Sequence, residues 1–195
     1  NPSYAGQAVT FTATGTPSES SAGPATGSVI FNNGAAVLGT APLSGGVATL
    51  TYSFPSLAGT HSITATYQGT GPFGGSTSAA VSQEVDQIPV SVGVTMTPFH
   101  VGQSTTFTVT LTPGSNVDGD PDGQVAFVDV THNTSYGGAF VSGGTASKTI
   151  TFSAGVLPLN LVVYYSSSSH NFANAQSDPV LVAPITDGTS TSLTS

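Results

Sequence analysis

The sequence predicts an all-β protein that consists of two consecutive β-sandwiches of about seven strands each, with essentially no helix. Three observations predict this class. Apolar and polar residues alternate over short segments, turn residues separate these segments, and the first half of the 195-residue chain resembles the second half. Alternation with a period of two is typical of strands that bury one face. No segment shows a sustained helical period.

The internal repeat has an offset of 96 residues. The sequence PSYAGQAVTFTATGTP at 2–17 aligns without a gap to PFHVGQSTTFTVTLTP at 98–113, and GSVIF at 27–31 aligns to GQVAF at 123–127. Repetition on this scale predicts two domains of one type. We place the first sandwich at residues 1–86, the second at 87–186, and a separate C-terminal strand at 187–195.

Strands are expected wherever the alternation is clear. In the first copy it covers residues 9–13, 29–31, 47–51 and 63–67. Turn residues lie between these segments, for example in the Asn-Asn-Gly run at 32–34 and the Ser-Gly-Gly run at 44–46. Gly and Asn tolerate the backbone angles that tight turns need, so these runs mark the ends of strands.

Composition excludes several classes of partner. Hydrophobic residues make up 37% of the chain and charged residues only 5%, and the net charge is −8. Lys148 is the only basic side chain, so the chain cannot neutralise a row of phosphates, and nucleic acid is excluded as a partner. No apolar run approaches the roughly 20 residues that cross a bilayer, which excludes membrane insertion. We expect the export signal and the anchor to lie elsewhere.

The first copy also resembles a known family. The segments NPSYAGQAVTFTAT, ATGSVIFNNGAAVLGTAPLSGGVATLTYSF, LAGTHSITATYQG and STSAAVSQEV resemble the tandem bacterial immunoglobulin-like repeat domains of large extracellular surface proteins. The resemblance covers residues 1–86. The second copy keeps the opening segment and GQVAFVD, but it has VLPLN at 156–160 instead of the LxxGxHSI run. The resemblance implies Ig-like Greek-key sandwiches with an extracellular or cell-surface location, an architectural role and no catalytic residues.

One strand of the second copy has no counterpart in the first. The alternating segment 90–97 precedes the repeat in the second copy, whereas the first copy starts directly at Asn1. The C-terminal segment supplies a similar pattern. If Ser195 of one copy is placed before Asn1 of another, Thr189, Thr191 and Leu193 align with Val90, Val92 and Val94. We predict that this inter-unit strand completes the first sandwich of the next unit.

Three functions follow as hypotheses. The first is a structural repeat unit of an extracellular bacterial fibre, filament or stalk that is assembled head-to-tail through the C-terminal strand. The strand can belong to the same polypeptide or to a separate subunit that adds it to an open sheet edge, and both remain open, as does a trimmed sequence without such a contact. The second is an adhesin module that binds a carbohydrate or protein through the loops at 18–26, 118–123 and 131–138. The third is a non-catalytic spacer of an extracellular hydrolase.

Candidate site residues are few. Asp118, Asp120, Asp122 and Asp129 have the one, three, five and twelve spacing of a calcium loop, although a solvated turn would explain the same residues. Asn133 begins a formal glycosylation sequon. No other cofactor is expected. The sequence lacks a recurring Ser, His and Asp set, so we predict no enzyme activity. Tyr4, Tyr136 and Tyr164 are the tyrosines that we expect to be exposed for a glycan.

Overall fold

The computed structural model describes residues 1–18, 23–55, 58–114 and 119–186. The chain divides into two compact units, with the division between Gln87 and Ile88. Nearly all regular structure in the described residues is β-strand. A single 3₁₀ turn at Ala154–Val156 is the one helical segment among them. The predicted all-β class is therefore confirmed. None of the helical structure in the described ranges is long and apolar enough to cross a membrane.

The described residues of the first unit form eight strands in two sheets. One sheet has the order β1-β8-β6-β3-β4, with β7 also paired to β6, and the other sheet contains only β2 and β5. All pairs are antiparallel except β1 with β8. The strands are β1 (Ser3–Tyr4), β2 (Ala8–Thr14), β3 (Ser28–Asn33), β4 (Ala36–Pro42), β5 (Val47–Ser53), β6 (Gly59–Tyr67), β7 (Ser76–Thr77) and β8 (Val81–Asp86).

Within the part of the second unit that the structure describes there are likewise eight strands in two sheets. One sheet has the order β13-β10-β9, and the other has the order β12-β11-β14-β15, with β16 also paired to β14. The strands are β9 (Val90–Met96), β10 (Ser104–Pro113), β11 (Gly123–Asp129), β12 (Thr134–Val141), β13 (Thr145–Thr151), β14 (Leu159–Ser166), β15 (Ala175–Gln176) and β16 (Val180–Val182).

The two units share one pairing scheme. Strands β2 to β8 of the first unit correspond in order and partners to β10 to β16 of the second unit. In both units the alternating apolar residues lie between the two sheets and form the core. Val29 and Phe31 occupy this core in the first unit, and the aligned Val125 and Phe127 occupy it in the second. Strand β9, which pairs with β10, has no counterpart beside β2 among the described residues of the first unit.

Hydroxyl groups cover the solvent-facing side of the two smaller sheets. The hydroxyls of Thr10 and Thr51 lie 3.0 Å apart across β2 and β5. In the second unit, Thr106 and Thr149 lie 2.9 Å apart across β10 and β13. These cross-strand pairs explain how a chain with so few charged residues presents a polar face to water.

Candidate functional site

The outer edge of β2 is the candidate site of the first unit. Strand β2 pairs with β5 along its whole length, from Ala8 opposite Ser53 to Thr14 opposite Val47. On its other side, no strand of the described residues pairs with it. The equivalent strand β10 is paired on both sides, by β13 and by β9. An open edge leaves a row of backbone N–H and C=O groups that can pair with a further strand.

Burial along the two equivalent strands differs in the same way. Phe107 and Val109 of β10 are 0% exposed. The aligned residues of β2, Phe11 and Ala13, are only half-buried. Strand β9 covers this side of β10, whereas no described strand covers the same side of β2. The inward side of β2 is therefore incompletely covered.

A groove of about 610 Å³ runs beside β2. Its floor is apolar, with the buried residues Val29, Phe31, Ile63 and Tyr67. Its remaining described lining consists of uncharged residues, with no Asp, Glu or Lys among them. These other residues are Asn1, Val9, Thr10, Phe11, Thr12, Ala13, Thr14, Gly15, Thr64, Ala65, Ser76, Thr77, Ser78, Ala79, Val81 and Gln83.

Strand β9 occupies the equivalent place in the second unit. It pairs antiparallel with β10 and also lies against β14 and β15. Strand β15 corresponds to β7, which flanks the groove of the first unit. Along β9, half-buried residues at 90, 92, 94 and 96 alternate with exposed residues at 91, 93 and 95. In the second unit, strand β9 of the same polypeptide therefore occupies the position that corresponds to the groove of the first unit.

Sequence reasoning indicated the open edge but not the groove. The floor residues come from β3 and β6 and the opposite wall from the segment 76–83, which are far apart in the sequence. The reduced size of Ala13 and Gly15, where the second unit has Val109 and Leu111, is the signal that could have indicated it. The predicted inter-unit residues Thr189, Thr191 and Leu193 lie outside the described residues, and their role stays a prediction.

The carboxylate of Asp129 is hydrogen-bonded within its own turn. It is 0% exposed, and its carboxylate accepts hydrogen bonds from the Thr131 backbone N–H at 2.8 Å and the His132 backbone N–H at 3.2 Å. The His132 ring nitrogen Nδ1 lies 2.7 Å from Oδ2. Burial alone would raise the pKa of Asp129, but the hydrogen bonds and the charge of His132 together hold the pKa below its usual value of 3.8.

Of the other predicted calcium ligands, Asp120 and Asp122 lie in the described residues and form no metal-binding group with Asp129. The exposed Asp122 accepts a 2.9 Å hydrogen bond from the Ser168 hydroxyl. Although desolvation raises the pKa of Asp122, hydrogen bonds from Ser168 and Ser169 lower it below 3.8 overall. Asp118 lies outside the described residues. Within the ranges that the structure describes, no group of three or more His, Asp or Glu residues could hold a metal ion. Calcium binding stays a prediction.

The remaining candidates lie on the second unit, apart from Tyr4. Asn133 is exposed in the turn between β11 and β12, with a φ of 52°, and its glycosylation stays a prediction. Tyr136 was expected to be exposed, but its ring packs edge-on against Phe152 at 5.0 Å and is only partly accessible. Tyr4 is likewise half-buried. Tyr164 is 39% exposed. Of the predicted adhesive loops, residues 19–22 and 118 lie outside the described part of the chain.

Residues 1–86 match the family model of the bacterial Ig-like domain (group 3). No curated protein sequence matches the chain significantly. A solved structure of the adhesin InvE of Yersinia pseudotuberculosis is similar, with 18% identity and a TM-score of 0.42. The match covers 92% of this chain and 55% of the InvE chain, so the chain spans about half the length of that protein.

Two further solved structures are similar over most of both chains. The amphioxus IgVJ-C2 molecule has 11% identity and a TM-score of 0.45, and the match covers 94% of this chain and 99% of that one. The human OSCAR ligand-binding domain has 15% identity and a TM-score of 0.39, and the match covers 92% of each chain.

Proposed function

Because residues 1–86 match the family model of the bacterial Ig-like domain (group 3), we propose that the chain is a structural repeat unit of an extracellular bacterial fibre or stalk. The family match supports a module of a surface protein, and domains of this type are typically non-catalytic. In the proposed role, copies are joined head-to-tail, and the C-terminal strand of one copy contacts the first unit of the next. In this role the chain provides length and mechanical continuity to the fibre or stalk, and it catalyses no reaction.

The observation that carries this proposal is the open edge of β2 beside an apolar groove. The edge lies in the first unit, and the segment proposed to meet it lies at the other end of the sequence. A contact between two different surfaces is heterologous, and such a contact produces an open chain of copies unless the geometry closes a ring. The proposal therefore accounts for both the incomplete first sheet and the repeat in the sequence.

The scarcity of charged side chains supports the same role. The paired hydroxyls of β2 with β5 and of β10 with β13 are satisfied within the sheet. The only basic side chain, Lys148, donates a hydrogen bond to the Gly138 carbonyl oxygen at 3.2 Å. None of the described residues that line the groove is Asp, Glu or Lys, so repulsion between like charges would oppose a contact there little, although the net charge of the chain is −8.

Electron microscopy of the purified full chain over a range of concentrations tests the proposal. The expected result is filaments with a regular axial repeat, which lengthen as the concentration rises. A population that remains single particles at every concentration, in material that is folded by circular dichroism, would contradict the proposal. The same measurement on a separately expressed chain of two linked copies separates covalent repetition from assembly between subunits.

One observation favours the adhesin as a second candidate. Phe140 on the edge strand β12 is 85% exposed, whereas Tyr136 of the same strand packs against Phe152. Exposed aromatic side chains often form the centre of sugar and protein contacts. A glycan array with the full chain and with Phe140→Ser tests this function, because binding that the substitution abolishes would support an adhesive face. Equal signals from the two proteins would contradict it.

A further inference from the structure

We propose that the groove beside β2 accepts residues 189–195 of a second copy of this chain, which add to β2 as an antiparallel strand. This inference rests on the proposed head-to-tail function and specifies its contact. The segment takes the place that β9 holds in the second unit. It pairs with the open edge of β2, and its alternate side chains enter the groove between β2 and the segment 76–79.

The second unit provides the template for this contact. Strand β9 pairs with β10 in a continuous antiparallel register, in which Val94 lies opposite Val109 and Met96 lies opposite Phe107. Strand β10 is the counterpart of β2 in sequence and in pairing. The incoming segment meets the same backbone geometry at β2, so the register can be transferred with the offset of 96 residues.

The transferred register places Leu193 opposite Ala13. Val94 corresponds to Leu193 in the alignment of the two copies, and Val109 corresponds to Ala13. The two changes compensate in volume, because the larger Leu replaces Val on the incoming strand while the smaller Ala replaces Val on the receiving strand. Cores tolerate such volume-conserving exchanges best. Leu193 is therefore the apolar anchor of the segment, over the floor formed by Phe31 and its neighbours.

The chemistry of the segment also fits the groove. The sequence TSTSLTS at 189–195 has no charged side chain, and none of the described residues that line the groove has one. A strand that carried Asp, Glu or Lys at the inward positions would bury an unpaired charge, which is strongly unfavourable or forces a change in protonation. The inward Thr189 and Thr191 carry hydroxyl groups instead, and the groove wall at 76–78 consists of Ser, Thr and Ser.

A disulfide cross-link tests the contact and its register. The chain contains no cysteine, so Ala13→Cys and Leu193→Cys introduce the only thiols. Side chains directly opposite each other in an antiparallel pair are close enough to be bridged. Two single variants, one of them labelled with ¹⁵N, are mixed under mild oxidation. The expected product is a mixed dimer joined between positions 13 and 193, identified by mass spectrometry after proteolysis.

The matched control is Thr194→Cys. In the proposed register this residue lies opposite Thr12 and points to the solvent face, away from Ala13. It should cross-link to Ala13→Cys at least about tenfold less than Leu193→Cys does. Equal yields would overturn the register, and a bridge found only within one chain in the double variant would overturn the contact between copies. Circular dichroism of the reduced variants establishes that each is folded.

A second measurement does not depend on thiol chemistry. Leu193→Asp places a charge over the apolar floor of the groove and should weaken self-association by about tenfold or more in sedimentation velocity. Thr194→Asp adds the same charge on the solvent face and should change association little. An equal effect of both substitutions would overturn the anchoring role of Leu193. Filaments that form while positions 13 and 193 remain unlinked would overturn this inference but leave the proposed function standing.

Discussion

The phenol hydroxyl of Tyr165 donates a hydrogen bond of 2.6 Å to the backbone carbonyl oxygen of Asp122. Tyr67 makes the corresponding bond of 2.8 Å to Thr26 in the first unit. Thr26 and Asp122 are separated by the repeat offset of 96 residues. In each unit the bond connects a central strand to the residues that precede a neighbouring strand, so it fixes the start of β3 or β11 against the core.

The first prediction concerns this bond. Tyr165→Phe removes the donor and leaves the Asp122 carbonyl without it, so we expect a loss of about 1 to 2 kcal/mol in the free energy of unfolding. Urea unfolding followed by circular dichroism measures the change. The neighbouring Tyr164→Phe is the control, because Tyr164 is 39% exposed and should change stability by less than about 0.5 kcal/mol. Similar losses in both variants would show that the bond contributes little.

The same tyrosine makes stability depend on alkaline pH. Burial raises the pKa of Tyr165 above 10.0, and the carboxylate of Asp122 raises it further, although a hydrogen bond with Ser167 acts in the opposite direction. A raised folded-state pKa stabilises the fold below the pKa of the unfolded chain, and this stabilisation is lost as the pH rises through the folded value. Unfolding measured from about pH 9 to pH 11 should therefore show a steeper loss in the native protein than in Tyr165→Phe.

Gly123 should tolerate no side chain. Its φ of 118° lies in the region that favours glycine, and an added Cβ would collide with the Ser166 carbonyl oxygen and approach the Ser168 nitrogen to 2.8 Å. Because both obstacles are backbone atoms, we expect Gly123→Ala to cost about 3 kcal/mol or more in the free energy of unfolding. Thermal unfolding of the full chain measures it.

Gly27 is the matched position in the first unit, with a φ of 104°. An added Cβ there would meet the Thr70 hydroxyl, which can rotate away. Gly27→Ala should therefore cost less than Gly123→Ala, and the additional substitution Thr70→Ala should recover part of the loss. A larger cost at Gly27 than at Gly123, or no recovery, would contradict this explanation.

Asp129 should stabilise the second unit at neutral pH and lose this contribution in acid. Its lowered pKa means that the stabilising contribution is present above the usual value of 3.8 and is lost as the pH falls through the folded value. We expect Asp129→Asn to cost about 1 to 2 kcal/mol at neutral pH. The difference from the native protein should shrink at about pH 3 or below, in urea unfolding at both pH values. Asp178→Asn, which removes an exposed carboxylate from the same unit, is the control, and a constant difference would contradict the prediction.

Hydrogen exchange should distinguish the two equivalent strands in the isolated chain at low concentration. The amides of β2 border an open edge, whereas those of β10 lie between two strands. We expect the outward-facing amides of β2 to exchange at least about tenfold faster than their β10 counterparts. Protection of β2 should rise with concentration if a second copy covers the edge. Equal protection at low concentration would contradict the open edge.

Much of the fold could be predicted from particular residues. The alternation of Val9, Phe11 and Ala13 predicted β2, and the offset of 96 residues predicted β10 and β11 in the second copy. The 156–160 segment departs from the family pattern, yet β14 begins within it at Leu159, because the strand's inward positions remain apolar through Tyr165. Pairing between distant strands maintains a strand whose local pattern has drifted.

The candidate site was only partly predictable, for two physical reasons. A groove is a property of packing between strands distant in the sequence, so alternation within β2 cannot show that its inward side is uncovered. The spacing of Asp120, Asp122 and Asp129 resembles a cation loop, but spacing does not reveal which groups the backbone itself uses. In the structure, the backbone N–H groups of Thr131 and His132 donate hydrogen bonds to the Asp129 carboxylate.

The hydroxyl pairs across β10 and β13 affect how the stability of this sheet depends on salt concentration. Ser104 lies 2.8 Å from Thr151 in the same row as the pair formed by Thr106 and Thr149. Dissolved ions screen the attraction between opposite charges, but they have little effect on a bond between two neutral hydroxyls. The stability of this sheet should therefore be the same at low and at high ionic strength. Ion pairs on the same strands would not provide this tolerance.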